Sequence, residues 1–345
     1  MTRQWGSEGE STDAVWPRSL AGAESEPYEN EIERSALRKY AEAIQDSNPI
    51  YVDETYGRST PHGGIIAPPT FLCTLHAGTR KAPDPVPPSY TEVLNGGIEF
   101  QYERAVRFRD VLIGRSRIAD AFEKEGRLGR MLFLVSETVF RDRAGILVAR
   151  MRQTEIRYRR PTNSAAAAGE GPGARNEAHS GIAAHLQPAP ESYATDPSGW
   201  LKPRFLDDVR EGDLLPPLAK CPTQRHLVMY AGASGNYLEY HYDREHALKL
   251  GMPGVILHGN LKIAYLGQLV TDWIGAHGTV LKLAARIEGM DLLGETCVAT
   301  GTVKRKVIDQ GPGKVELDLH LTAPGGRRTA TGSAVVALPL KPPRS

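Results

Sequence analysis

The chain of 345 residues lacks most of the features that mark disulfide-rich, metal-binding or membrane proteins. It contains three cysteines, Cys73, Cys221 and Cys297, which are far apart and form no CxxC pair. We therefore expect no disulfide framework and no zinc site, and a reducing compartment suits the chain. No apolar run is long enough to cross a bilayer, and the polar, acidic segment 7–31 lacks the pattern of a signal peptide. These absences predict a cytoplasmic protein.

An excess of charge of one sign is also missing. Lysine and arginine together number 42 against 41 aspartates and glutamates, which gives a net charge of +1. No general attraction to nucleic acid or to a membrane surface is therefore expected. With 40% hydrophobic and 24% charged residues the composition is that of a globular protein, and the length suits two domains.

Composition divides the chain into two halves of similar length. Residues 161–200 are rich in alanine, glycine, proline and serine and show no hydrophobic periodicity, which predicts a flexible linker. We place one domain at 30–160 and a second at 201–345. Residues 1–29 are largely polar and predict a flexible N-terminal tail.

Both halves contain one similar segment, and the copies differ at the two positions that matter most for acid–base chemistry. The first copy has Asp46 and, five positions later, Tyr51; the second has Asn236 and, five positions later, His241. One copy thus keeps an acid without a histidine, and the other keeps the histidine without the acid. This asymmetry indicates a duplicated domain with one surviving catalytic site.

Each half also shows the same order of elements, a short helix, an apolar helix and then four strands. In the first half we expect helices at Glu33–Ile44 and Ile65–His76, and strands at Gly97–Arg107, Val111–Ala119, Met131–Phe140 and Ile146–Tyr158. In the second half we expect helices at His226–Ala233 and Asn260–Ile274, and strands at Thr279–Glu288, Thr296–Val307, Lys314–Thr322 and Arg328–Leu338. The spacing sets Ala67 against His258 near the start of the two apolar helices.

One packing buries an apolar helix together with the apolar face of an antiparallel sheet, namely a curved sheet wrapped around the helix. Two such units that pair edge to edge form one continuous sheet and remove two exposed edges. We therefore predict an α+β double hotdog fold, in which two curved antiparallel sheets each wrap around a central helix.

Two segments of the second half, Gly235–Asp243 and Pro253–Leu261, resemble the hydratase 2 motif of MaoC-like enoyl-CoA hydratases. The first half resembles the FAS1-like dehydratase domain that often precedes this motif, through Tyr40–Ile44, Asn48-Pro49 and Ala67–Phe71. The resemblance implies a hydro-lyase that reversibly hydrates an enoyl thioester or dehydrates a 3-hydroxyacyl thioester. It implies no metal and no other cofactor. It leaves open the acyl group, and whether coenzyme A or an acyl-carrier protein carries it.

The resemblance also implies roles for residues. His241 matches the catalytic histidine of the family, and Gly259 matches the glycine whose backbone N–H binds the thioester oxygen. Asn236 stands where most of the family has aspartate, as in a subgroup similar to 3-hydroxyacyl-thioester dehydratases and methylfumaryl-CoA hydratases. The resemblance further implies a homodimer of double hotdogs, or a heteromer with another MaoC-like subunit.

The same residues suit the chemistry of hydration. Negative charge develops on the thioester oxygen, and the free N–H groups of a helix that begins near Gly259 would stabilise that charge. Histidine has a pKa near neutral pH, so we assign His241 as general base and general acid. Asparagine binds water but accepts no proton at neutral pH, so Asn236 is expected to orient the water or the imidazole.

Further residues are expected near the substrate, namely Glu239, Tyr242, His258, Asn260 and Ala67. Each has a structural interpretation beside the functional one: glutamates are usually solvated, and His258 would turn the chain into the helix. Asp243 is expected to cap or close a turn rather than to take part in chemistry. The resemblance also implies a roomier pocket for the acyl chain in the first half, and Ala67 and the small residues near it would permit one.

Two other functions remain open. A hotdog thioesterase would share the helix N-terminus but needs a carboxylate that activates water, for which Glu239 is the nearby candidate. A non-catalytic partner subunit that binds acyl chains is the other, since Asp46 has lost its histidine and Asn236 is not an acid. The presence of His241 and Gly259 together favours the hydro-lyase.

Overall fold

The described residues, 24–77, 90–126, 129–159, 203–307 and 313–342 of a computed structural model, form ten strands and five α-helices. The first half contains β1 (Tyr28–Glu31), α1 (Arg34–Ala43), α2 (Glu54–Ser59), β2 (Glu92–Tyr102), β3 (Val111–Gly126), β4 (Gly129–Arg141) and β5 (Leu147–Tyr158). The second half contains β6 (Leu214–Lys220), α3 (Gln224–Ser234), α4 (Arg244–Lys249), α5 (Gly259–Ile274), β7 (Thr279–Ile287), β8 (Cys297–Val307), β9 (Gly313–Thr322) and β10 (Arg328–Leu338). The predicted linker at 161–200 lies outside the described residues.

The ten strands pair into one antiparallel sheet in the order β1-β3-β4-β5-β2-β7-β10-β9-β8-β6. The two halves meet where β2 pairs with β7, with Ile98 opposite Ala285 and Phe100 opposite Leu283. All four side chains are buried, so the junction is part of the core. The predicted edge-to-edge pairing is therefore present, and it removes an exposed edge from each half.

The central helix α5 packs against the sheet of the second half. Thirteen of its sixteen residues are buried, including residues on every side of the helix. A helix that is apolar around its whole circumference is stable only when it is enclosed. The prediction of a central helix at Asn260–Ile274 is confirmed to within one residue.

The corresponding helix of the first half is absent, and the prediction of a helix at Ile65–His76 is wrong. Residues 65–77 are all described, and they contain one short 3₁₀ helix at Phe71–Thr74. The chain leaves this turn in an extended conformation because Asn30 on β1 binds both backbone groups of His76, accepting from its N–H at 2.8 Å and donating to its carbonyl at 2.9 Å. A contact that is distant in sequence therefore overrides the local apolar pattern.

The predicted tail also ends earlier than residue 29. Ser25 is 3% exposed, its backbone N–H donates to the Ser116 carbonyl at 2.7 Å, and its hydroxyl donates to the Ala77 carbonyl at 2.6 Å. Strand β1 follows and pairs with β3. Residues 24–29 are therefore packed against the sheet and are not a flexible tail, while residues 1–23 lie outside the described residues.

Two short helices extend the repeat beyond what the sequence suggested. Asp53 accepts a hydrogen bond from the Tyr56 N–H at 3.0 Å and caps α2, and Asp243 accepts one from the His246 N–H at 3.0 Å and caps α4. The two caps are 190 positions apart, as are the 3₁₀ helices that precede them. The expectation that Asp243 caps a turn is confirmed.

This spacing corrects the predicted alignment of Ala67 with His258. At 190 positions, Pro68 corresponds to His258 and Pro69 corresponds to Gly259. The first half therefore has two prolines where the second half enters its central helix.

A buried ion pair ties the first turn of α5 to the loop between β7 and β8. Lys262 Nζ lies 2.5 Å from Asp291 Oδ2, and each side chain is 1% exposed. Lys262 also donates to the carbonyls of Gly289 (2.7 Å) and Thr329 (3.1 Å), and the Thr329 hydroxyl donates to Asp291 at 2.9 Å. Removal of one partner would leave a charge buried without compensation.

The first half replaces this ion pair with two apolar residues. Leu72 is 190 positions before Lys262, and Val106 accepts the backbone hydrogen bond that corresponds to the one accepted by Asp291. Leu72 and Val106 are both buried in the core. The fold thus tolerates either an ion pair or a hydrophobic pair at this place.

We predict that Lys262→Met lowers the free energy of unfolding by about 3–5 kcal/mol, because Asp291 stays buried without its partner. The double variant Lys262→Leu/Asp291→Val, which copies the pair in the first half, should regain most of the loss. Urea denaturation of the three proteins measures the effect. A single variant as stable as the wild type would show that the pair does not hold this turn.

Candidate active site

The start of α5 is held by a short backbone ladder. The Leu257 N–H donates to the Asp291 carbonyl and the Leu293 N–H donates to the Val255 carbonyl, both at 2.9 Å. His258 follows with φ −59° and ψ 134° and is the N-cap residue, so Gly259 is the first residue of the helix. The first N–H groups of a helix have no partner within it, and they carry the positive end of the helix dipole.

His241 lies beside this helix start, in the 3₁₀ helix Glu239–His241, and is 4% exposed. Its Nδ1 is 2.8 Å from the carbonyl oxygen of Ile256. Because a carbonyl only accepts hydrogen bonds, the geometry assigns the ring proton to Nδ1 and leaves Nε2 as an acceptor. The backbone therefore fixes the tautomer that a general base requires.

His258 stacks on His241. The ring centroids are 3.8 Å apart with an angle of 22° between the planes. His258 is fully buried, and its Nε2 donates to the carbonyl of Asn236 at 3.3 Å. Full burial and this backbone contact favour the structural interpretation of His258.

Burial controls the protonation of both rings. It lowers the pKa of His241 to about 4, and the hydrogen bond to Ile256 only partly opposes this effect. Burial and the neighbouring His241 together lower the pKa of His258 to about 3. Both imidazoles are therefore neutral at pH 7, and a proton taken up by His241 would be held weakly.

Asn236 joins the site mainly through its backbone. Its carbonyl binds His258, while its side-chain oxygen accepts a hydrogen bond from the Leu238 N–H at 3.3 Å and closes a turn. The expected contact of the side chain with water or with His241 stays a prediction.

The remaining predicted residues are spread over three places. Glu239 is exposed at the start of the 3₁₀ helix, and Tyr242 donates its hydroxyl proton to the Tyr237 carbonyl at 2.9 Å. Asn260 is the second residue of α5, directly after Gly259, and its role at the site stays a prediction. Ala67 lies apart from these residues, in a cavity of the first half.

One residue beside this helix start was not predicted from the sequence. Asn95 on β2, in the first half of the chain, donates from Nδ2 to Asn260 Oδ1 at 2.7 Å. Its Nδ2 is also 3.1 Å from the point that a Cβ atom on Gly259 would occupy. An asparagine before two glycines resembles a turn in sequence, so no local pattern connects it to the second half.

The corresponding place in the first half is unsuited to hydration. Tyr51 stands in the position of His241 and is fully buried, and burial holds the pKa of its hydroxyl well above the usual value. Pro69 stands in the position of Gly259 and has no N–H to donate. This half therefore lacks the histidine and the backbone donor of the second half. It keeps Asp46 in the position of Asn236, and burial raises the pKa of that carboxyl to about 7.

A cavity of about 50 Å³ lies at this altered site. Its walls are mostly apolar and come from the first half and from the far end of α5, including Ile66, Ala67, Phe71, Thr271 and Ile274. The first half thus encloses free space beside the short turn that replaces its central helix.

Comparisons with known proteins agree with the division into two halves. Residues 19–151 match the FAS1-like, dehydratase domain region, and residues 202–323 match the MaoC like domain. A UPF0336 protein of Thermobifida fusca is 35% identical over 115 residues, which cover 32% of this chain and 73% of that protein. The chain belongs to the MaoC-like dehydratases, with an N-terminal FAS1-like dehydratase region. The resemblance read from the sequence is confirmed at this level.

Other relatives match this MaoC-like chain over shorter parts. A UPF0336 protein of Streptomyces griseus is 38% identical over 91 residues, 26% of this chain and 61% of that protein. A protein of Thermomonospora curvata named as a probable enoyl-CoA hydratase alpha subunit is 26% identical over 139 residues, 36% of this chain and 44% of that protein. The chain therefore spans less than two thirds of both relatives.

Solved structures confirm the fold. A structure described as a MaoC-like dehydratase has a TM-score of 0.72 and 23% identity, covering 94% of this chain and 99% of that chain. A Mycobacterium tuberculosis protein described as having a double hotdog fold has a TM-score of 0.60 and 15% identity, covering 95% of this chain and 99% of that one. The predicted double hotdog is confirmed, with the central helix of its first half reduced to a turn.

Membrane-spanning helices and clusters of metal ligands are both absent from the described ranges. These ranges contain no helix that is both long and apolar enough to cross a membrane. They also contain no group of three or more histidine, cysteine, aspartate or glutamate side chains placed as metal ligands would be.

We predict that acid weakens the fold through the stacked histidines. Unfolded histidine titrates near 6.5, whereas these two titrate at about 4 and about 3 when folded. The unfolded chain therefore binds more protons between these values, so stability is full above about pH 6.5 and is lost as the pH falls through the folded pKa values. In His241→Gln the free energy of unfolding should fall less steeply with decreasing pH. The slope should be smaller than that of the wild type by about 1.4 kcal/mol per pH unit across that window, because one of the two titrating groups is removed. Urea denaturation at a series of pH values measures both slopes, and equal slopes would contradict the assignment.

Proposed function

We propose that this MaoC-like protein is a hydro-lyase that reversibly adds water to an enoyl thioester to give a 3-hydroxyacyl thioester. The observation that carries the proposal is the neutral His241, with its acceptor Nε2, placed beside the free helix start at Gly259. A base and an oxyanion donor at one place are the two groups that this reaction needs.

The reaction follows from these groups. The Gly259 N–H and the dipole of α5 stabilise the charge that develops on the thioester oxygen. His241 Nε2 takes a proton from water while the water oxygen bonds to carbon 3 of the substrate. The imidazolium then returns the proton to carbon 2, so the double bond becomes single and one molecule of water has been added.

The low pKa of His241 corrects the expectation of a pKa near neutral pH, and it affects the two steps in opposite ways: the imidazole is a weaker base toward water, and the imidazolium is a stronger acid toward carbon 2. An imidazolium whose pKa is about 4 is a strong proton donor, so it releases its proton readily to carbon 2. Asn236 accepts no proton at neutral pH, so His241 is the residue that carries the proton in both directions. In this respect we place the chain with the asparagine-bearing members of the family.

Two observations bear on the alternatives. Glu239, the carboxylate that a thioesterase would need, is exposed rather than held at the helix start. A non-catalytic partner subunit would not need the fixed tautomer of His241. We propose a cytoplasmic homodimer, or a heteromer with a second MaoC-like subunit, since the Thermomonospora curvata relative is named as an alpha subunit.

The assay for hydration follows the loss of the ultraviolet absorbance of conjugated enoyl-CoA thioesters. His241→Ala should lower kcat by about 10²–10⁴-fold, because it removes the general base. His246→Ala on the neighbouring helix α4 is the matched control and should keep full activity. Release of free thiol would instead identify a thioesterase. No change with any enoyl-CoA or enoyl-carrier-protein substrate would support the non-catalytic subunit.

The cavity of the first half is our proposed site for the far end of a long acyl chain. Thr271 in its wall is twelve positions after Gly259 on α5, a rise of about 18 Å. A short acyl group bound at Gly259 ends well before this point, whereas a long one extends to it.

We predict that Ala67→Leu, which adds bulk to the cavity wall, lowers kcat/KM for long-chain enoyl thioesters by about tenfold, a usual effect of a misfit in an apolar pocket. The same variant should process crotonyl thioesters at the wild-type rate, which serves as its internal control. An equal loss for both chain lengths would contradict a role in chain-length selection.

A further inference from the structure

Asn95 is held at both ends of its side chain. Its Oδ1 accepts the Gly97 N–H at 2.9 Å within β2, and its Nδ2 donates to Asn260 Oδ1 at 2.7 Å on α5. The first contact leaves the Nδ2 group directed at the helix, and the second joins the two halves of the chain. The amide orientation is thus set by its neighbours on both sides.

A β-bulge brings this side chain to the helix. In the pairing of β2 with β5, Asn95 lies opposite Glu155 and Gly97 lies opposite Thr154, so Gly96 is left without a partner. Gly97 has φ +139°, and a Cβ atom there would collide with the Ala285 carbonyl of β7. The glycine therefore permits the close approach that puts Asn95 above the helix start.

The approach to Gly259 is equally tight. A Cβ atom on Gly259 would lie 3.1 Å from Asn95 Nδ2 and 3.4 Å from Ile287 Cγ1. These two side chains, one from each half, cover the first residue of α5. Their approach leaves little room for a side chain at the first residue of α5.

Comparison with the altered site of the first half distinguishes the β-bulge, which both sites have, from the pair of amides. The altered site keeps the bulge: in the pairing of β7 with β10, Val335 lies opposite Lys282 and Val336 lies opposite Val280, so residue 281 is left without a partner. Val280 therefore corresponds to Asn95. It lines the cavity beside Pro69, and Thr70 corresponds to Asn260. The bulge belongs to both halves, whereas the pair of amides occurs at the site that has His241 and Gly259.

We propose that Asn95 is a positioning residue for the oxyanion site at Gly259, so that an active site in the second half depends on a side chain from the first. This inference rests on the proposed hydro-lyase function. Asn95 acts through Asn260: the hydrogen bond holds the first turn of α5 at the distance and direction that the thioester oxygen needs. Misplacement of such a group by about 1 Å costs on the order of 10²-fold in rate.

The test is a double-variant cycle with kinetics and stability measured together. Asn95→Ala and Asn260→Ala should each lower kcat by about 10–10²-fold, with KM changed by less than about threefold. The double variant should be no slower than the slower single variant, because both changes remove one interaction. Gln101→Ala is the matched control, since the Gln101 amide bonds to Glu99 within β2 at 2.8 Å and should leave kcat unchanged.

Three outcomes would overturn the inference while hydration by the wild type still stands, two of them kinetic and one a matter of stability. The first is an unchanged kcat in Asn95→Ala, and the second is a double variant whose loss of activity is the product of the two single losses. A fall in melting temperature that accounts for the lost activity, with kcat per folded molecule unchanged, would reduce Asn95 to a structural role and also overturn it.

Amide hydrogen exchange decides the matter if the wild type hydrates no thioester and the proposed function fails. The N–H groups of Leu261 and Lys262 bond to the His258 carbonyl at 3.1 and 3.3 Å in the first turn. Faster exchange of a peptide spanning residues 257–263 in Asn95→Ala, but not in Gln101→Ala, would support the positioning of this turn. Equal exchange in both variants would overturn it.

Discussion

The free N–H groups at the start of α5 are the constraint on which the rest of the site depends. Enclosure by the sheet buries most of this helix, yet its first turn cannot satisfy its own donors. The ladder of residues 255–257 with 291–293, the Lys262–Asp291 pair and the stacked histidines all hold this one turn in place. Polar groups are costly to bury. The presence of several buried polar groups around one helix start therefore indicates that this helix start has a function.

The two halves show which contacts serve folding and which serve chemistry. Both keep the capped short helices, the 3₁₀ turn before them, the backbone ladder and the bulge in the central strand. The altered site has no histidine, helix start, ion pair or amide pair. In their places stand Tyr51, Pro69, the apolar Leu72 and Val106, and Thr70 with Val280 from β7 of the second half. The first half completes the sheet, lines a cavity and places Asn95 beside α5.

The pairing of β2 with β7 makes the two halves one unit. It buries four apolar side chains at the junction, and it brings Asn95 and Ile287 close to Gly259. A second contact between the halves is the packing of α1 on α3, where the rings of Tyr40 and Tyr230 are 6.0 Å apart. The candidate site thus lies where the two halves meet, and both halves are present because they belong to one chain.

Local patterns in the sequence determined a large part of this protein. The duplication, eight of the ten strands and the enclosed helix α5 could be read from spacing and periodicity, because each depends on neighbours in the chain. The short strands β1 and β6 were not predicted, and β2 begins and ends five residues before the predicted Gly97–Arg107. The family resemblance pointed to His241 and Gly259, and their roles stay predictions. Tertiary structure alone decided the rest. Asn30 replaces a helix with a turn at residue 76, Ile256 selects the tautomer of His241, and a bulge brings Asn95 to a helix more than 160 positions away. Such contacts depend on which distant segments come together, and no local pattern in the sequence predicts that.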